Sequence, residues 1–304
     1  MLTGSAGILA LWLETSRSRA TLELSVRPTD DELPPIVTGK DYGAPSAFTP
    51  ESLLREARRQ KATAAEPVPA VCLLDPDGDI VRRLRAEGRA SRHEGWVCYH
   101  TDLYVFEEEG LTIGVVGCAV GASFAVLVAE ELFASGCRLL ISITSSGQLQ
   151  PVAAPPYFIL VDRALRDEGT SYHYLPPGPY SSGPEKLLER LGGAFDDLGV
   201  PVLQGATWTT DAPFRETEQA IAAMRGRGLL AVEMEAAALY AFAHARRKPV
   251  ICFAHVTNQM GRIEGDFEKG EANGSADALA IVVRTARRLM SGPSAVPPAE
   301  SARE

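Results

Sequence analysis

The chain is poor in cysteine, in positive charge and in long apolar runs, and each shortage removes a class of protein. Five cysteines among 304 residues (Cys72, Cys98, Cys118, Cys137 and Cys252) lie scattered in mostly apolar, strand-like runs, with neither CxxC spacing nor an obvious pairing. A disulfide scaffold is therefore not expected, and a reduced, cytoplasmic compartment fits. Lysine and arginine total 30 against 39 acidic residues, a formal net charge of −9. That balance argues against a nucleic-acid partner, which needs a basic stripe to neutralise phosphates, but it leaves small anionic substrates open. No stretch of about 18 uncharged apolar residues occurs, so no membrane span is expected. Residues 7–13 are apolar, yet no basic residue precedes them and Glu14 follows at once, which is not the layout of a signal peptide. No His or Cys cluster has ligand spacing, so neither a metal nor a resident cofactor is expected.

What is present is enough apolar material for a large core, with 45% hydrophobic residues, and one main α/β domain is the economical reading. Residues 1–66 read as an N-terminal extension whose clearest element is a short basic amphipathic helix at residues 50–59. From Val68 onward the runs PAVCLLD, LTIGVVG, RLLISIT, YFILVD, PVLQGAT, LLAVEM and PVICFAHVT alternate with helical patterns at 122–135, 184–198, 216–225, 235–246 and 276–290. Strands alternating with helices of this length imply a sheet wrapped on both faces over residues 67–290. Residues 291–304, rich in Ser, Pro, Ala and charge, read as a disordered tail.

The stretch Ala231-Val232-Glu233-Met234-Glu235-Ala236-Ala237-Ala238-Leu239-Tyr240 carries most information. It sets two carboxylates and a thioether where an apolar strand turns into an Ala-rich helix. A charged acceptor at a strand end suits a polyol such as a ribose, since ionisation roughly doubles the strength of each hydrogen bond. The competing reading is a pair of acids that complements the helix macrodipole.

VEMEAAALYAFA resembles the ribose-binding signature of the nucleoside phosphorylase and uridine phosphorylase superfamily. Four further segments resemble the same family in the same order: Leu74-Asp75-Pro76-Asp77, Gly117-Cys118-Ala119-Val120-Gly121-Ala122-Ser123, Ile143-Thr144-Ser145-Ser146-Gly147 and Gly169-Thr170-Ser171-Tyr172-His173-Tyr174. The resemblance spans roughly residues 69–290. It implies a single three-layer domain with a mixed central sheet, as in the phosphorylase/hydrolase-like fold. It also implies that Met234 lies against the sugar, that Glu235 holds the 2′ and 3′ hydroxyls, and that Glu233 belongs to the same site. Ser145, Ser146, Gly147 and Gly121 fall at strand ends and a helix start, where wound sheets collect ligands. His173 becomes a possible contact near the sugar, and His100 one that reaches a neighbouring subunit's site. Phe214 and Arg215 fall in the base-recognition loop; the alternative makes Phe214 a hydrophobic staple and Arg215 a solvated charge. Family members commonly form dimers or trimers of dimers, so a homo-oligomer is expected.

Two departures bear on the chemistry. Purine-cleaving relatives usually carry an aspartic acid where this chain has Asn258; an amide cannot donate that proton, which leans toward a pyrimidine. His255, inside an apolar strand, reads as a core histidine rather than a general acid. The arginines expected for phosphate are absent after the Asp-Pro-Asp turn, where Gly78 and Asp79 follow, and in the strand before Ser145, where Ser142 stands. Asp77 and Asp79 would repel phosphate or orient water; Arg82 and Arg83 either reach back from the following helix or, as is more common, face solvent. The expectation is N-glycosidic bond cleavage of a nucleoside by a phosphorylase, with inorganic phosphate as co-substrate, giving base and ribose 1-phosphate. A phosphate-independent nucleosidase is the first alternative, and a degenerate nucleoside-binding protein the second.

Overall fold

Strand β1 (Val71–Asp75), buried at every position, lies between two parallel neighbours, β4 (Leu111–Gly117) and β5 (Leu139–Gln148). Its unbroken Val-Cys-Leu-Leu is the pattern of a strand covered on both faces. In this computed structural model, which describes residues 33–261 and 264–291, the sheet continues beyond β4 through antiparallel β3 (Tyr104–Glu108) and β2 (Ala90–Arg92). The chain from Lys40 onward forms a compact unit.

On the far side of β5 the sheet closes on itself. β5 pairs in parallel with β10 (Val250–Asn258) along most of its length, and its last residues, Gly147 and Gln148, pair antiparallel with β9 (Ala231–Glu233). β9 runs parallel to β8 (Val202–Thr210), β8 parallel to β6 (Tyr157–Asp167), and β6 returns antiparallel to β10. A ring of five strands results, with short β7 (Tyr180–Ser182) paired to β6. The mixed sheet is as expected; its closure leaves these five strands without a free edge.

Helices cover both faces. α1 (Pro50–Lys61) is capped by Thr49, whose hydroxyl accepts from Ser52 N at 3.2 Å. Its Leu54 and Ala57 are buried with Val97, against Ala134, so the helix read as part of an extension is packed into the domain. α2 (Asp79–Ala86) and α7 (Ser275–Met290) share one core with Ile141, Ile143 and Phe253; α3 (Ala122–Ala134) and α6 (Ala236–Arg246) share the other with Tyr157, Ile159 and Cys252. α4 (Glu185–Arg190) is shorter than its apolar pattern predicts. Gly192-Gly193 follows, and Gly193 takes φ 69°, a left-handed conformation that ends a helix. α5 (Glu218–Gly226) begins two residues after the expected Glu216, behind a 3-10 turn at Pro213–Arg215. The segments 7–13 and 292–304 lie outside the described residues.

Tyr240 ties these layers together. Its buried hydroxyl donates to Val161 O at 2.6 Å and accepts from Cys252 N at 3.1 Å, joining α6 to β6 and β10. Tyr240→Phe strands a buried carbonyl and a buried N–H, so urea denaturation should record a loss of about 1–3 kcal/mol. A loss within a few tenths of a kcal/mol would mean that those groups find other partners.

Candidate active site

The two glutamates at the start of α6 divide the work. Glu233, the last residue of β9, is 3% exposed and all its capacity is used inside the fold. Its Oε2 accepts from the N–H groups of Glu235 and Ala236, both at 2.7 Å, and its Oε1 accepts from the hydroxyls of Thr207 and Thr209 on β8. This is a helix cap made by a carboxylate, and the place given to Glu233 in the substrate site is corrected accordingly. Glu235, at the cap position of α6 and 1% exposed, accepts from Gly121 N through Oε1 at 2.6 Å, while its Oε2 has no partner. Burial first, and the Glu233 carboxylate second, push its pKa up to about 8; the Gly121 N–H and the Thr144 hydroxyl pull the other way. An unsatisfied buried acid is costly to the fold, and Oε2 is the oxygen that carries that cost.

The ends of β5 and β10 supply the floor. Asn258 pairs with Gly147 across the two strands, donates through Nδ2 to Ser146 O at 3.4 Å and accepts at Oδ1 from Met260 N at 3.0 Å. An added Cβ at Gly147 would stand 2.3 Å from Met260 Sδ and 3.3 Å from Asn258 Oδ1, so a side chain there would push the Met260 thioether aside. Ser146 is buried with its Oγ unpartnered, and Ser145 and Met234 are partly exposed. Ser145, Ser146, Gly147 and Asn258 are thus brought together. Glu235 joins them through Thr144, the residue before Ser145.

Next to them, at the end of β1, lies a pocket of about 20 Å³ lined by residues that include Asp75, Asp77, Asp79, Ser145 and His255, room for about one water. Sequence reasoning missed the cation here. Lys269, in the loop after β10, bridges Asp77 Oδ2 at 3.1 Å and Asp79 Oδ2 at 2.6 Å. Against the opposing effect of its burial, the hydrogen bonds of Lys269 and Arg82 hold the Asp79 carboxyl below its ordinary value. Arg82 does not simply face solvent: Nη2 donates to Asp77 O and to Asp79 Oδ1, each at 2.7 Å. Burial raises Asp75 to about 7 and lowers His255 to about 4. The neutral His255 ring stacks on Phe158 with centroids 4.2 Å apart, and its Nε2 is buried and unpartnered.

The remaining predicted residues stand apart. His173 is exposed and its Nδ1 meets Lys40 Nζ at 2.9 Å. Phe214 is 98% exposed and packs on nothing as a staple would, and exposed Arg215 sits in the 3-10 turn Pro213–Arg215. His100 is exposed, with Phe124 6.4 Å away edge to face. A cavity of about 520 Å³ lined by Phe48, Leu127, Tyr174 and Arg246 among others contains none of the predicted site residues.

With this geometry in view, comparison places the chain in a family. Residues 54–287 match the model of the phosphorylase superfamily, and the chain belongs to it. It is 27% identical over 168 residues to a guanosine phosphorylase of Halorubrum lacusprofundi, covering 55% of this chain and 66% of the relative. It is 28% identical over 201 residues to a uridine phosphorylase of Thermococcus kodakarensis, covering 60% and 70%. The matches thus span about two thirds of these relatives' lengths. A crystal structure of uridine phosphorylase from Vibrio fischeri superposes with a TM-score of 0.62 at 20% identity, covering 74% of this chain and 92% of that one.

The raised pKa of Glu235 has a sign that can be tested. In the unfolded chain its proton leaves near the ordinary value of 4.5, in the folded ligand-free chain near 8. Between those values the folded state binds the extra proton, so the contribution of this group to stability falls as pH rises and levels off beyond about 8. Glu235→Gln removes that loss. Its melting temperature relative to wild type should therefore rise from about pH 5 to pH 8, and a difference that stays constant across the range would count against the assignment.

Proposed function

We propose that this chain is a nucleoside phosphorylase: it cleaves the N-glycosidic bond of a nucleoside and transfers the sugar to inorganic phosphate. The observation that carries the reading is Glu235 Oε2, a buried and unpartnered carboxylate oxygen beside the converging ends of β5 and β10. Sugar hydroxyls donating to it replace the missing partner and favour its ionised form. The negative charge then stabilises the oxocarbenium-like sugar that forms as the C1′–N bond loosens. A phosphate oxygen bonds to C1′, the base leaves with the bonding electrons, and the proton of the incoming hydrogen phosphate passes to the base through solvent. The products are free base and ribose 1-phosphate, and the reaction so written calls for no resident cofactor. Asn258, which offers an amide where a proton donor would assist a purine, supports a pyrimidine base.

Hydrolysis is the second reading, favoured by Asp77 and Asp79 at the end of β1, where carboxylates suit water better than a dianion. We also propose a cytoplasmic homo-oligomer. Five free cysteines suit the compartment, no described helix is long and apolar enough to cross a membrane, and light scattering reports the assembly.

Product analysis with a panel of nucleosides, with and without inorganic phosphate, separates the two chemistries. Phosphate-dependent ribose 1-phosphate is the expected result; free ribose formed equally well without phosphate would replace phosphorolysis by hydrolysis. Glu235→Gln should lower kcat by roughly 10²–10³ with the fold retained, and unaltered turnover would remove Glu235 from the site.

A further inference from the structure

We infer that Thr209 is a positioning residue for the reaction: its hydroxyl takes the helix-start N–H that Glu235 would otherwise cap, and so leaves the Glu235 carboxyl turned away from its own helix. The inference rests on the reading of Glu235 as the acid that meets the sugar. Glu235 stands at the cap position of α6, yet its side chain makes no cap bond. A carboxylate at that position ordinarily accepts from the second or third N–H of the helix, here Ala237 or Ala238. Ala237 N donates instead to Thr209 Oγ1 at 2.9 Å, while the two amides before it, those of Glu235 and Ala236, go to Glu233. The cap of α6 is thus supplied from outside the helix, its third bond coming from another strand.

Strand register puts Thr209 there. β8 runs parallel to β9 with Thr209 beside Glu233, and Thr209 is fully buried. Its single O–H proton goes to Glu233 Oε1 and its lone pairs face Ala237 N, so one hydroxyl fixes both the acid before the turn and the amide after it. Thr207, two residues earlier, donates to the same Glu233 oxygen at 3.1 Å and touches no amide of α6. Without the Thr209 hydroxyl, Ala237 N–H is a buried donor with no partner, which is costly, and the nearest free acceptor in sequence is Glu235 Oε2. A carboxyl drawn to that amide leaves Gly121 N, its present partner. The ionisable groups beside Glu235 are Glu233 on β9 and, acting more weakly, Cys252 on β10. Thr209 is also the strongest of the four bonds that oppose the effect of burial on Glu233. Its loss therefore lets Glu233 take a proton more easily and gives Glu235 a new donor, and both effects move Glu235 toward ionising at lower pH.

Thr209→Val, Thr209→Ser and Thr207→Val in the full chain test this through pH profiles. Wild-type kcat/KM for the nucleoside should climb toward about pH 8 as Glu235 ionises. In Thr209→Val the rising limb should move down by about one pH unit and the plateau should fall about tenfold or more. Thr209→Ser keeps the hydroxyl and should restore the limb, and Thr207→Val should leave it within about 0.3 pH unit of wild type. Melting temperatures read the same change without substrate: the gain from Glu235→Gln, which levels off near pH 8 in the wild-type background, should level off about one pH unit lower in the Thr209→Val background. Profiles that keep the wild-type pH in Thr209→Val, with stability alone reduced, overturn the inference and leave Glu235 in the site. An equal shift in Thr207→Val also overturns it, because the effect would then belong to the Glu233 charge and not to the cap. A wild type that cleaves no nucleoside overturns the enzymatic reading, and the melting profiles still decide the place of Thr209.

Discussion

The candidate site depends on how one carboxylate is consumed so that another can stay free. Two acids two residues apart at the buried start of a helix both attract the N–H groups there, and both would lose by remaining unpaired. Glu233 takes the first two amides of the turn and two threonine hydroxyls from β8. With the helix start already satisfied, Glu235 is not drawn into capping; one of its oxygens rests on Gly121 N and the other is left bare. Replacing Glu233 by an apolar residue would do more than uncap α6, because the turn would then compete for Glu235.

That arrangement couples binding to ionisation. In the empty protein, burial and the nearby Glu233 charge keep the Glu235 proton on to about pH 8. Donors from a sugar favour the charged form, and positive charge developing on the sugar favours it more strongly. On the proposed reading the interaction strengthens along the reaction coordinate, which is the condition for it to raise a rate rather than merely an affinity. The price in folding stability is paid at one atom, and the four-donor cap on Glu233 confines it there.

Local pattern made part of this legible. The alternation of apolar strands and helices follows from periodicity, and the strand-end segments around Gly121, Ser145 and Glu235 were readable because each is a contiguous string of residue types. What could not be read is what joins distant strings. The partners of Glu233, Thr207 and Thr209, lie 26 and 24 residues earlier on another strand. Lys269 reaches Asp79 across 190 positions, from a loop without periodicity. Closure of the strands into a ring depends on β5 being long enough to serve β10 and β9 at once, and no alternation of apolar residues encodes that.

The two ends of the candidate site differ in how finished they are within one chain. At the end of β1, Lys269 and Arg82 pair with Asp77 and Asp79, and the pocket beside His255 is scarcely larger than a water. Entry of anything larger must displace groups already paired. The loop read as base-recognising is the reverse. Phe214 is 98% exposed, and a phenyl ring in water gains from being covered by any flat apolar surface, at roughly 25 cal/mol per Å². A nucleobase can supply that surface and so can another protein chain, whereas the short turn Pro213–Arg215 that carries the ring holds it away from its own helix. Phe214 thus stays open to whatever comes to lie on it, while the free oxygen of Glu235 is already fixed in place by the cap on Glu233.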